Sequence, residues 1–129
     1  MRVLIADDQK AVGVSLSALV ERCGHEVVQV VGSGLEAIQA YTRHKPDVVL
    51  MDYSMPRLNG ATACRMIVSK EPTARIIIVS GAPVNHAMKD SGALAIIPKP
   101  VDLDRLYNAL YDAGAAPSPT NANDDAAEE

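Results

Sequence analysis

Residues 47–56 read Asp-Val-Val-Leu-Met-Asp-Tyr-Ser-Met-Pro, and the aliphatic run that ends at Asp52 decides how the rest of the chain is read. Val48, Val49, Leu50 and Met51 are apolar in succession. A strand with that pattern is apolar on both faces, which suits a parallel sheet covered by helices on each side and not a half-exposed hairpin. A carboxylate at its end then stands where the apolar layer opens to solvent.

Short aliphatic runs recur at residues 2–6 (RVLIA), 26–31 (EVVQVV), 75–79 (RIIIV) and 94–97 (LAII), so that with 47–51 five strands are predicted. Helix signals lie between them. Val12, Leu16, Leu19 and Cys23 form one stripe that stops at Gly24, a natural residue just past a helix. Ser33 and Glu36 have capping-box spacing, Asn59-Gly60 opens a third helix, and Asp102 caps a last one that carries Leu103, Leu106 and Leu110 and closes at Gly114. Between the fourth and fifth strands GAPVNHAMKDSG leaves room for about two turns, so the fourth helix is expected to be short or mobile. Five β/α units with right-handed crossovers give an α/β, doubly wound, five-stranded parallel sheet, and the order 2-1-3-4-5 sets strands one and three side by side.

A length of 129 residues suits one domain, assigned to residues 1–114, and 48% hydrophobic with 22% charged residues is globular. Residues 115–129 are polar, contain Pro and hold four acids without a Lys or Arg, which reads as a disordered acidic tail. The net charge of -4 is therefore a property of that tail; the body carries 12 acids and 12 bases. No basic stripe offers itself to nucleic acid or an anionic membrane. Cys23 and Cys64 lack zinc-ligand spacing and read as buried, reduced thiols, and no run suits a signal peptide or a membrane span, so a cytoplasmic location is expected.

In a doubly wound sheet ligands sit beyond the carboxyl ends of the strands. Strand one ends in Asp7-Asp8, strand three in Asp52, strand four in Ser80 and strand five in Lys99-Pro100, whereas strand two ends only in Gly32. Carboxylates about 5 Å apart repel by roughly 3 kcal/mol per pair at an effective dielectric near 20, so three of them need a counter-charge. Lys99 supplies one and leaves a local -2, which a divalent cation cancels. Hard oxygen ligands without His or Cys favour Mg2+. A carboxylate, a hydroxyl, a lysine and Mg2+ suit phosphoryl transfer, with Asp52 as the nucleophile that forms an acyl phosphate.

DD after strand one, DYSMP around Asp52, Ser80 after strand four and KP after strand five resemble the response regulator receiver domain of bacterial two-component signalling, a flavodoxin-like fold. The resemblance covers about residues 2–113. It implies that Asp52 accepts a phosphoryl group from a histidine kinase or histidine phosphotransfer protein, and that signal leaves by contact with a downstream protein whose identity is unknown, from a monomer or a phosphorylation-dependent dimer. It further implies that Asp8, Asp52 and the Ser54 carbonyl bind Mg2+ directly while Asp7 acts through water, that Lys99 and Ser80 contact the phosphoryl oxygens, and that the Lys99–Pro100 bond is cis. The chain would then be a self-phosphorylating switch and no enzyme acting on other substrates.

The sequence departs from the family pattern at several points. An aromatic residue that often changes rotamer three positions before the lysine is replaced by Ile96, so a switch must work through loop and helix movement. The stretch from Ser80 to Lys99 is short. Ser54 and Ala82, at positions that tune acyl-phosphate lifetime, have no long side chain to orient water, which implies a long-lived phosphoryl group.

Rival readings are local. Asp8 suits a helix N-cap, Asp52 an Asx turn and Lys99 a surface position, but none of these explains the match of all four strand ends. Residues 32–37 mimic a dinucleotide fingerprint, G-x-G-x-x-A, yet the capping box accounts for Ser33 and Glu36. A flavin phosphate after strand one would meet Asp7 and Asp8. His25, His44 and His86 share no ligand spacing. The first helix shows Ala11, Gly13, Ser15 and Ser17 away from its core stripe, a small face suited to a kinase or phosphotransfer helix or simply to tight packing. Tyr107 and Tyr111 form an output patch with Ile96 or cover the core edge. A pseudo-receiver that only binds partners is the functional alternative.

Overall fold

A computed structural model describes residues 1–115; the stretch assigned above to an acidic tail lies, apart from Ala115, outside the described residues. Strands and helices alternate as β1 (Arg2–Ala6), α1 (Lys10–Arg22), β2 (Glu26–Val31), α2 (Gly34–His44), β3 (Val48–Asp52), α3 (Gly60–Lys70), β4 (Ile76–Ser80), α4 (His86–Lys89), β5 (Ala95–Pro98) and α5 (Leu103–Ala115). The five strands form one parallel sheet in the expected order β2-β1-β3-β4-β5.

Alternation along each strand feeds two cores. Leu4, Ala6, Val49, Met51 and Ile76 face Ala37, Ala40, Tyr41, Ala63, Cys64 and Ile67 of α2 and α3. Val3, Ile5, Val48, Leu50, Ile77 and Val79 face Leu16 and Val20 of α1 and Leu106, Leu110 and Ala113 of α5. β3 and β4 are buried along their whole length, as the uninterrupted apolar runs require.

Helix starts follow the sequence signals. Ser33 Oγ accepts the Glu36 N–H at 3.1 Å, and its hydroxyl donates to the Glu36 carboxylate in place of the expected return bond to backbone. Asn59 Oδ1 accepts the Thr62 N–H at 2.9 Å. Gly24, at φ +90°, ends α1.

Several local expectations shift. β3, β4 and β5 each run one residue further than expected, because the ladder pairs Asp52 with Val79 and Ser80 with Pro98. α4 is a single turn, half the length its sequence allows. Helix α5 does not close at Gly114 but runs through it, where a Cβ would lie 2.9 Å from Met1 Sδ; that glycine serves close packing and not a cap. Gly13 likewise faces the sheet and not the small-residue surface, since a Cβ there would meet Val30 Cγ1 at 2.8 Å. Cys64 is buried, with its thiol pushed up to about 11 by desolvation, whereas Cys23 is only half-buried.

Candidate functional site

β1 and β3 are neighbours, so the residues after their carboxyl ends meet at one edge of the sheet. Asp7 is fixed by its N–H, which donates to the Val31 carbonyl at 2.9 Å, and its Oδ1 accepts the Gln9 N–H at 2.8 Å. That Asx-type bond is a feature the sequence reading missed, although the spacing of two residues is its usual mark. It also decides the role of Asp8. The N-cap of α1 is Gln9 without a side-chain cap bond, so Asp8 caps nothing; its carboxylate is exposed and has no hydrogen-bond or ion-pair partner among the described residues.

One carboxylate oxygen each from Asp7, Asp8 and Asp52 lies within 4.8 Å of the others. Asp7 and Asp52 are 2% and 3% exposed. Lys99 Nζ bridges these two buried acids, 3.0 Å from Asp7 Oδ2 and 3.0 Å from Asp52 Oδ1. It arrives there because β5 pairs with β4 and the Lys99 N–H donates to the Ser80 carbonyl at 2.8 Å; the next peptide bond, Lys99–Pro100, is cis.

Burial pushes the Asp52 carboxyl above its ordinary value; the hydrogen bond from Lys99 opposes this, the Asp7 charge adds to it, and the Lys99 charge and the Ser54 N–H pull back, with a net rise. For Lys99 burial pulls downward, but the hydrogen bonds and charges of Asp7 and Asp52 prevail and its ammonium is held above the usual lysine range. Burial dominates the first shift, and the two neighbouring acids dominate the second. Two carboxylates within 4.8 Å repel by about 3.5 kcal/mol at an effective dielectric near 20. One ammonium leaves the group at -2. The donor set is all oxygen, which suits a hard divalent cation such as Mg2+.

An open cleft of about 420 Å³ leads to these groups, lined by Asp8, Gln9, Asp52, Ser54, Gly81, Ala82 and Lys99. Ser54 is exposed at its mouth, and its backbone moderates the rise at Asp52. Of the sequence-predicted site residues, Asp7 and Ser80 do not line the cleft. The Ser80 hydroxyl is buried and folded into its own loop, accepting the Ala82 N–H at 3.0 Å and donating to the Ala82 carbonyl at 3.1 Å. Beside Lys99 a second groove of about 530 Å³ runs along Ala11, Val12, Ser15 and Leu19 of α1 to Pro100 and Val101. Ile96 packs against the cluster of Ala61, Ile78 and Met88, while Tyr107 and Tyr111 line a groove with Met1, Cys23 and His25.

The chain is similar to proteins of known role. It is 38% identical over 113 residues to the chemotaxis protein CheY of Thermotoga maritima, covering 84% of this chain and 93% of that one. It is 34% identical over 116 residues to CheY of Listeria monocytogenes, with coverage of 88% and 98%. Among solved structures, a CheX–CheY–BeF3–Mg2+ complex from Borrelia burgdorferi superposes with a TM-score of 0.83 at 25% identity, over 88% of this chain and 89% of that one. No helix among the described residues is long and apolar enough to cross a membrane. With the family model for the response regulator receiver domain matching residues 3–111, the chain belongs to the receiver domains of two-component signalling.

Proposed function

We propose that this receiver takes a phosphoryl group onto Asp52 in a Mg2+-dependent reaction with a phosphohistidine donor, a histidine kinase or a histidine phosphotransfer protein. The observation that carries this reading is the meeting of three carboxylates within 4.8 Å around one lysine. The arrangement costs folding energy unless a cation is recruited, which supports a site selected for chemistry and not for stability. The Borrelia CheY complex carries BeF3 and Mg2+, in line with that choice of ion.

The carboxylates of Asp8 and Asp52 and the carbonyl of Ser54 would hold the ion, with Asp7 acting through water. Mg2+, when bound, supplies charge neutralisation between the acids and the incoming phosphoryl oxygens. Asp52 is the nucleophile. One of its carboxylate oxygens forms the new O–P bond as the P–N bond of the phosphohistidine breaks, and the imidazole keeps the bonding pair. Lys99, already against Asp52 Oδ1, neutralises a phosphoryl oxygen without having to move far. Ser80 must first give up its two bonds to Ala82 before its hydroxyl can reach the same group. The groove along α1, which ends at Lys99, offers the donor's helix a largely apolar face next to the site. A cytoplasmic setting, where such kinases present their phosphohistidine, follows from this partner.

Intact mass spectrometry after incubation with a small acyl-phosphate donor and Mg2+ tests the proposal. One added phosphoryl group in the wild type, absent from Asp52→Asn, is the expected result. No adduct favours an interaction module that never carries phosphate, and consumption of donor without an adduct favours a hydrolase.

A further inference from the structure

Tyr53 follows Asp52 at the end of β3, and its backbone is clamped on both sides. Its N–H donates to the Val79 carbonyl at 2.9 Å, and its carbonyl accepts the Gly60 N–H at 2.7 Å. The ring packs against a small cluster of Ala61, Ile78 and Met88, the same cluster that Ile96 touches. The hydroxyl at the end of that ring accepts a hydrogen bond from Asn85 Nδ2 at 3.2 Å.

Asn85 has a second task. Its Oδ1 accepts the Met88 N–H at 2.9 Å and caps α4. That helix is one turn, far below the length at which a helix holds itself together, so its order depends on the buried Met88 side chain and on this cap. One amide side chain therefore joins the residue beside Asp52 to the start of α4. The loop between Ser80 and Asn85 is the direct covalent path from β4 to that cap, and the Ile96 side chain has no polar atom to take part.

We propose that Tyr53 is the positioning residue through which the state of Asp52 reaches α4. The inference rests on the phosphoacceptor reading above. When the Ser80 hydroxyl leaves Ala82 for a phosphoryl oxygen, the loop that starts at Ser80 is drawn toward Asp52 and carries Asn85 with it. Tyr53 cannot follow, because its backbone is pinned to Val79 and Gly60. A bond already at 3.2 Å has little room to lengthen, so the Asn85 amide gives up either the Tyr53 hydroxyl or the Met88 N–H. Either loss loosens α4, and the aromatic coupling absent at position 96 is supplied from position 53.

Hydrogen–deuterium exchange of the α4 amides, run on samples whose phosphoryl content is fixed by intact mass, tests this. Phosphorylation of the wild type should raise exchange at Met88 and Lys89 about fivefold, the effect of losing one neutral hydrogen bond. Tyr53→Phe, which keeps the ring, and Asn85→Ser, which keeps a cap, should gain the phosphoryl group yet show no further rise. A phosphorylation-dependent rise in both variants equal to that of the wild type overturns the inference alone. Absence of any adduct in the wild type overturns the phosphoacceptor reading, and the inference with it. A purely structural role for Tyr53 would change exchange before phosphorylation and leave the response intact, which also counts against the proposal.

Discussion

Asp8→Asn should make the protein more stable without Mg2+ and less responsive to it. Asp8 has two like-charged neighbours within 4.8 Å and no partner of opposite sign. It is exposed, so the dielectric of water applies: each pair costs about 0.9 kcal/mol before salt, and about 1 kcal/mol in total survives screening at physiological ionic strength. The isosteric amide removes that repulsion, and in a domain of this size the melting temperature should rise by about 4 °C in EDTA. Mg2+ at a hundred times its dissociation constant should add about 2.7 kcal/mol to the wild type, roughly 10 °C. The variant, with one of the carboxylates proposed to hold the ion gone, should gain less than about 1 kcal/mol at the same concentration, so the order of stability reverses between EDTA and Mg2+. Thermal melts followed by circular dichroism in the two conditions are sufficient. An Asp8→Asn protein that melts at or below the wild type in EDTA, or that gains as much from Mg2+, refutes the electrostatic reading of the cluster.

The pH dependence of metal-free stability should carry the mark of Asp52. Its carboxyl titrates above the ordinary value of 3.8, so the folded protein binds this proton more readily than the unfolded chain. The group opposes folding above its raised pKa, and the penalty disappears as pH falls below the ordinary value; urea titrations in EDTA should show Asp52→Asn lacking this part of the profile. Gly60→Ala should cost about 3 kcal/mol or more in the same assay, because the added Cβ would overlap the carbonyl of Asp52 and backbone has to move. With Ser54 and Ala82 flanking the cleft, the phosphoryl group on the purified protein should outlast several minutes by intact mass; decay within seconds contradicts that expectation.

Much of the fold was legible because its signals are local. The unbroken aliphatic runs of β3 and β4 mark buried parallel strands, and Ser33 and Asn59 announce the helices they cap. Asp7, Asp8, Asp52 and Lys99 were legible for a topological reason: once the strand order is known, strand ends must converge. Other features depend on contacts between distant segments, which periodicity does not record. Gly13 and Gly114 look like a surface residue and a helix stop until Val30 and Met1 are brought against them. The Ser80 hydroxyl is engaged by a backbone two residues away, so its residue type predicts the site but not its present orientation. The bond between Asn85 and Tyr53 spans 32 positions and exists only because Tyr53, just past β3, packs on the same cluster as Met88 of α4.

The most direct test of Asp52 as the phosphoacceptor is chemical mapping of the modified position. Borohydride reduces an aspartyl phosphate to homoserine, and peptide sequencing by mass then locates it. Homoserine at position 52, formed only when both donor and Mg2+ are present, is the expected result. Homoserine at position 7 or 8, or its formation in equal amount with EDTA, would contradict the chemistry assigned to this site.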